Sequence, residues 1–253
     1  SDIHAHKEAF NQLLHQVNLK DEDYLVILGD FIEKGPSSLE MLYRIRDLKK
    51  RERTFVLMGN CEAAVLEMLL DEDKAEGLVH YLTCSTWGSL LKDSAEALNL
   101  NLKTTAPLEV QLKLRNYLAK EIEILQSLDT AVVFDQFIFV HAGIENREDW
   151  ENSSLSSMLE QQYFMTNGHC AKDKYVVCGH LPCSNYSDIS IDNSILISHR
   201  QRIISIDGGM GVKNICQLNA LIVKKEDDGY LYFQHHVDEF VKCEILFRSY
   251  PKF

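Results

Sequence analysis

Five short segments of this chain carry side chains that can hold a divalent metal: Asp2-x-His4, Gly29-Asp30, Gly59-Asn60, His141-Ala-Gly143 and Gly179-His180. Four of them directly follow an apolar run with no helical period, ending at Leu28, Met58, Val140 and Cys178. Such runs read as buried strands, and in open α/β sheets ligands bind at the carboxyl ends of strands. The glycines beside Asp30, Asn60 and His180 let backbone or substrate come close. In an extended segment residues i and i+2 point to the same side, so Asp2 and His4 can face one ion. Asp, Asn and His together are borderline ligands that suit Mn, Fe or Zn. Each segment also has a plainer reading. Asp2-Ile3-His4 can be a loop, and Gly29-Asp30 and Gly59-Asn60 can be turns that cap helices. His141 and His180 can be buried, hydrogen-bonded histidines.

The elements that would position these residues alternate early and change later. Lys7 to Asn18 places Ala9, Phe10, Leu13, Leu14 and Val17 on one helical face. Tyr24–Leu28 and Thr54–Met58 read as strands. Between them Ser37 and Glu40 form a capping-box pattern for a helix that ends in Lys49-Lys50-Arg51. A further helix follows from Cys61 to Leu70. Residues 71 to 130 read as helical with no strand signal, and Pro107 suits the first turn of one long helix through Leu125. This stretch is an inserted helical cap within a single domain spanning 1–253. Strands return at 136–140, 174–178, 202–206, 218–223, 230–233 and 243–247, with a turn at Asp228-Gly229.

The composition is that of a soluble globular protein, 45% hydrophobic and 25% charged, which excludes disordered and collagen-like classes. With 26 Lys and Arg against 38 Asp and Glu, the formal charge is −12, which opposes binding to a nucleic acid polymer. Small phosphorylated substrates stay open, because a bound metal reverses the local field. No apolar stretch approaches the ~20 residues of a membrane span, so no membrane partner is expected. The seven cysteines show no paired spacing, and a reducing, cytoplasmic location is expected. A zinc site built from His169, Cys170, Cys178 and Cys183 lacks any C-x-x-C, and free thiols are the reading taken.

Ser1-Asp-Ile-His-Ala5, Gly29-Asp-Phe-Ile-Glu-Lys-Gly-Pro36, Gly59-Asn-Cys-Glu62, His141-Ala-Gly143 and Gly179-His180 together resemble the calcineurin-like metallophosphoesterase signature. The nearest resemblance is to its phosphoprotein phosphatase branch, in the small bacterial form, over residues 1 to about 210. It implies an α/β (α+β) fold of two β-sheets packed as a sandwich flanked by helices. It also implies that a short apolar strand precedes Ser1. Carried over residue by residue, one ion would be held by Asp2, His4 and Asp30. Asp30 would bridge to a second held by Asn60, His141 and His180. The cofactors implied are two divalent ions, Mn first, with Fe or Zn as alternatives. A hydroxide shared by the ions would attack phosphorus, with Asp30 central to catalysis.

Three departures from the branch bear on activity. Its G-N-H-E is Gly59-Asn-Cys-Glu62 here, so Cys61 stands where a histidine assists the leaving group. A thiol can donate a proton but is shorter and a weaker hydrogen bonder. The branch's D-R pair is Glu33-Lys34. Lys34, with Asn60, would bind substrate phosphate without bidentate geometry, and Glu33 would normally orient the missing histidine. A second phosphate-binding arginine is also missing. Arg147 comes too early, and Gln161 or Gln162 falls near that place. The expected activity is a serine/threonine-phosphatase-like phosphomonoesterase acting on a phosphorylated protein or small phosphoester. The alternatives are a phosphodiesterase or dinucleoside-polyphosphate hydrolase using the same metals, and a catalytically weak module that binds phosphorylated partners. Asp207-Gly208-Gly209 resembles a structural turn near the site.

Overall fold

The computed structural model describes residues 1–145, 148–168, 174–186, 192–227 and 229–238. Helix α1 (Lys7–Gln16) buries Ala9, Phe10 and Leu13 at helical spacing. Strands β1 (Leu25–Ile27) and β2 (Thr54–Val56) pair in parallel, Leu25 opposite Thr54. Helix α2 (Ser38–Leu48) makes the crossover between them and buries Met41, Leu42 and Ile45. The expected capping box at its start does not form. The Ser37 hydroxyl donates instead to the Ala5 carbonyl at 2.8 Å, which ties the helix entrance to the first motif. Helix α3 (Asn60–Leu70) begins four residues beyond β2.

The helical run continues as α4 (Ala75–Cys84), α5 (Leu90–Ala97), α6 (Pro107–Tyr117) and α7 (Ala119–Gln126). The single long helix expected from Pro107 is two, because Leu118 leaves helical geometry at φ −95°, ψ 18°. The bend keeps Leu114, Leu118, Ile122 and Leu125 in one buried cluster with Leu78 and Leu91.

Strands β3 (Ala131–Phe134), β4 (Phe137–Val140), β5 (Tyr175–Cys178), β6 (Leu196–Ser198) and β7 (Ile203–Ser205) form a sheet in the order β3-β4-β5-β7-β6. The central β4, β5 and β7 are parallel, and β3 and β6 are antiparallel edges. The pattern of apolar residues missed both edges, which are only three or four residues long. Helices α8 (Leu155–Glu160) and α9 (Phe164–Asn167) cover one face, with Met158, Phe164 and Met165 packed on Ile138, Val140, Val176 and Ile203. The other face carries Phe137, Val177 and Ile204. It meets the hairpin of β8 (Gln217–Glu226) and β9 (Gly229–Asp238) through Tyr232, Leu221 and Val223. The alternate hairpin residues Leu218, Ala220 and Val237 face α1. This gives a sheet-on-sheet core with helices outside, in a mixed α/β chain. Burial on both faces explains why β4, β5 and β7 read as unbroken apolar runs.

Arg147, His169, Cys170, Asp228 and the expected strand at 243–247 lie outside the described residues. Among the described residues, Cys61, Cys84, Cys178 and Cys183 are free thiols. No helix there is long and apolar enough to cross a membrane.

Candidate metal centre

Backbone hydrogen bonds bring the motif segments together at the strand ends. The Asp2 N–H donates to the Gly29 carbonyl at 3.2 Å and the His4 N–H to that of Asp30 at 2.9 Å. The Gly179 N–H donates to the His141 carbonyl at 2.7 Å. The His180 N–H donates to Oδ2 of Asp2 at 3.0 Å, joining residues 178 positions apart. Asp2, His4, Asp30 and His180 all have φ between +47° and +67°. Each such left-handed non-glycine residue costs roughly 1–2 kcal/mol. Strain of this kind clusters at functional sites. Glycine is required beside them. A Cβ on Gly59 would sit 2.2 Å from Oδ1 of Asp30, and Gly29 itself has φ +89°.

Glu62 locks two of these loops together. Its carboxylate is fully buried and accepts the N–H groups of Asp30, Phe31, Ile32 and Gly59 at 2.8–3.1 Å. Burial and the Asp30 charge push its pKa up. Four donors converging on two oxygens favour the anion.

Asp2, His4, Asp30 and His141 are all buried, Asp30 being 1% exposed and His141 0%. Nε2 of His4 lies 3.8 Å from Oδ2 of Asp30 and 4.0 Å from Oδ1 of Asp2. Nε2 of His141 lies 3.6 Å from Oδ1 of Asp30. Asn60 Oδ1 lies 3.0 Å from both Nε2 of His141 and Nδ1 of His180. Two overlapping groups of donor atoms result, Asp2–Asp30–His141 and His4–Asp30–Cys61, and Asp30 is common to both.

These residues fit a pair of cations. Nδ1 of His141 lies 2.7 Å from the Leu28 carbonyl, so its N–H donates there. In the tautomer with that single proton, the Nε2 lone pair faces Asn60 Oδ1 and Asp30 Oδ1, both acceptors. A cation among them turns three mutually repelling lone pairs into ligands. Burial lowers the pKa of His4 to about 4 against the pull of Asp30, and burial followed by His141 lowers that of His180. Both rings are therefore neutral near pH 7, the form a metal binds. The donor set, carboxylate, imidazole and amide oxygen, suits Mn, Fe or Zn.

Lys34 reaches the same place, its Nζ 3.3 Å from Nε2 of His4. Burial works against its charge, yet the nearby carboxylates of Asp30 and Asp2 raise its pKa. The Cys61 thiol is pushed well up by burial and then by Asp30, so it is protonated. Glu33 does not face Cys61. Its buried carboxylate accepts from the Tyr81 hydroxyl and from the Leu90 N–H instead. Of the two glutamines, Gln161 lies against the His141 turn, its Oε1 2.6 Å from where a Gly143 Cβ would be, while Gln162 faces solvent.

Several contributors had no legible assignment in the sequence. Gly211 packs flat on His4, where a Cβ would lie 2.2 Å from ring carbon Cδ2. Asp207 is buried near Asp2 and accepts from the Gly209 N–H at 2.7 Å. Tyr81 lies on α4, outside every motif in the sequence. Two had a signal: Glu62 as the last residue of Gly59-Asn-Cys-Glu62, and Asp207 as the first of the turn Asp207-Gly208-Gly209.

Comparison with known proteins agrees with this fold. A model described as calcineurin-like phosphoesterase matches residues 1–201. A Caenorhabditis elegans protein named "putative serine/threonine-protein phosphatase" is 36% identical over 63 residues, 24% of this chain and 17% of that one. A symmetrical bis(5'-nucleosyl)-tetraphosphatase of Buchnera aphidicola is 31% identical over 104 residues, 34% of this chain and 37% of that one. The matched segments thus span between about a sixth and just over a third of those relatives. A solved structure described as a "putative diadenosine tetraphosphatase" superposes with a TM-score of 0.53 at 14% identity, over 100% of this chain and 91% of the other. At that identity the likeness shows the fold.

Proposed function

The chain belongs to the calcineurin-like phosphoesterase family, and from this premise we propose that it is a hydrolase using two divalent cations, with dinucleoside polyphosphates as its substrate class. Asp2, His4, Asp30, Asn60, His141 and His180 would hold the ions, manganese being the first to test. Bound there, the pair would supply positive charge to polarise the phosphoryl group and acidify the attacking water.

The observation that carries the substrate class is Cys61. A protonated thiol bound to Asp30 stands where the branch motif has a histidine. Losing a positioned general acid typically costs 10²–10⁴-fold, and the cost grows with the basicity of the leaving group. A serine alkoxide needs that proton. A nucleotide phosphate, with a second pKa of about 6, departs as a stable anion without it. In the reaction a new P–O bond forms from water as the bridging P–O bond breaks. The electron pair of that bond leaves on the nucleotide, and the water proton passes to solvent. Lys34 would bind a phosphoryl oxygen through its ammonium. Asn60, whose Oδ1 would serve the ions, would donate from Nδ2 to another. The relatedness to bis(5'-nucleosyl)-tetraphosphatases supports the same reading.

A second reading, a serine/threonine-phosphatase-like phosphomonoesterase, is favoured by the Gly29–Pro36 segment and by the C. elegans relative. The test is kcat/KM of the manganese-loaded protein on diadenosine tetraphosphate, p-nitrophenyl phosphate, its bis ester and a phosphoserine peptide. The expected result is highest efficiency on the tetraphosphate, lost in Asp30→Asn. Highest efficiency on the phosphoserine peptide would overturn the substrate class, and no metal-dependent turnover on any of the four would overturn the activity.

A further inference from the structure

Glu33 and Lys34 are consecutive residues with φ of +62° and +67°. Two left-handed non-glycine residues in a row do not hold that shape unaided. The contacts that hold it come from the helical insertion. The Tyr81 hydroxyl, on α4, donates to Oε2 of Glu33. The Leu90 N–H, in the first turn of α5, donates to Oε1 at 2.8 Å. Between those helices Gly88 pairs with the Lys34 backbone in an antiparallel bridge. A Cβ on Gly88 would lie 2.0 Å from the Gly35 carbonyl oxygen, so the two loops are in direct backbone contact. The Glu33 N–H is held from the other side by the Ser38 hydroxyl at 3.1 Å.

Lys34 itself points the other way, to Nε2 of His4. Glu33 is only 5% exposed, so its carboxylate has no solvent to replace a lost partner. We propose that Tyr81 is a positioning residue: through Glu33 it sets the backbone from which Lys34 reaches the phosphate. The insertion is thereby a working part of phosphate binding and not a cover alone. This rests on the phosphate-binding role proposed above for Lys34.

The test is calorimetric binding of inorganic phosphate to the manganese-loaded protein, which needs no turnover, with Tyr81→Phe, Lys34→Ala and the double variant. Lys34→Ala should weaken phosphate about tenfold or more, the scale of a hydrogen bond to a charged group. Tyr81→Phe should weaken it about threefold to tenfold in the wild-type background and leave it unchanged when Lys34 is already alanine. Glu33→Leu, which offers the Tyr81 hydroxyl no partner, should reproduce the Tyr81→Phe loss and serves if that variant does not fold. An equal loss from Tyr81→Phe with and without Lys34 would show a merely structural role and overturn the proposal. So would no loss from either Tyr81→Phe or Glu33→Leu while Lys34→Ala weakens binding. No loss from Lys34→Ala would instead remove the role of Lys34, and the proposal with it.

Discussion

The Cys61 thiol donates to Oδ2 of Asp30 across 3.1 Å, and the Cys61 N–H donates to Oδ1 of the same carboxylate at 2.9 Å. One residue therefore engages both oxygens of the carboxylate shared by the two donor groups. Replacing the thiol with imidazole adds a group that reaches further and protonates leaving groups. Cys61→His is expected to raise kcat on an alkyl phosphate by about 10- to 100-fold, at or below the usual range for a general acid. The gain on p-nitrophenyl phosphate should be much smaller. Equal gains on both, or none, would take Cys61 out of the leaving-group chemistry.

Glu62 is the anchor of the loops that carry Asp30 and Asn60. Glu62→Ala leaves four buried N–H donors without their acceptor, each worth roughly 1–3 kcal/mol. Denaturant unfolding should show a loss of at least about 3 kcal/mol. A loss under about 1 kcal/mol would mean that the loops hold themselves.

Gly211 has no positive φ, and the three atoms nearest an added Cβ all belong to the His4 ring. Gly211→Ala should displace the imidazole and weaken manganese binding by about tenfold, the usual scale for disturbing a ligand's support. Thermal stability should change little. Unchanged affinity by titration would place His4 outside the ligand set.

Burial holds the folded-state pKa of His4 at about 4, against an ordinary value of 6.5. Between these values the unfolded chain binds the proton and the folded protein does not. The contribution of His4 to stability is therefore complete above about pH 6.5 and is lost as pH falls towards 4, at up to about 1.4 kcal/mol per pH unit. Metal-free protein should show this slope in urea unfolding, and His4→Asn should flatten it. An identical slope in the variant would assign the pH dependence elsewhere.

Much of the fold was legible because parallel strands buried on both faces leave a plain signal. The apolar runs at 136–140 and 174–178 became β4 and β5 within a residue. The edge strands β3 and β6 were not legible, since short edges half-open to solvent carry neither an unbroken run nor clean alternation. The long helix from Pro107 was half right. Its start follows from proline chemistry, but its break at Leu118 follows from what the leucines pack against.

By itself the sequence determined which residue types stand at the strand ends and in what order. Asp2, His4, Asp30, Asn60, His141 and His180 could be named as candidates, because strand-end placement and ligand chemistry are local properties. Only the tertiary structure decided where Glu33 points. A carboxylate chooses partners by proximity in space, and the Tyr81 hydroxyl that captures it lies 48 residues away, on a helix whose own pattern says only that one face is buried.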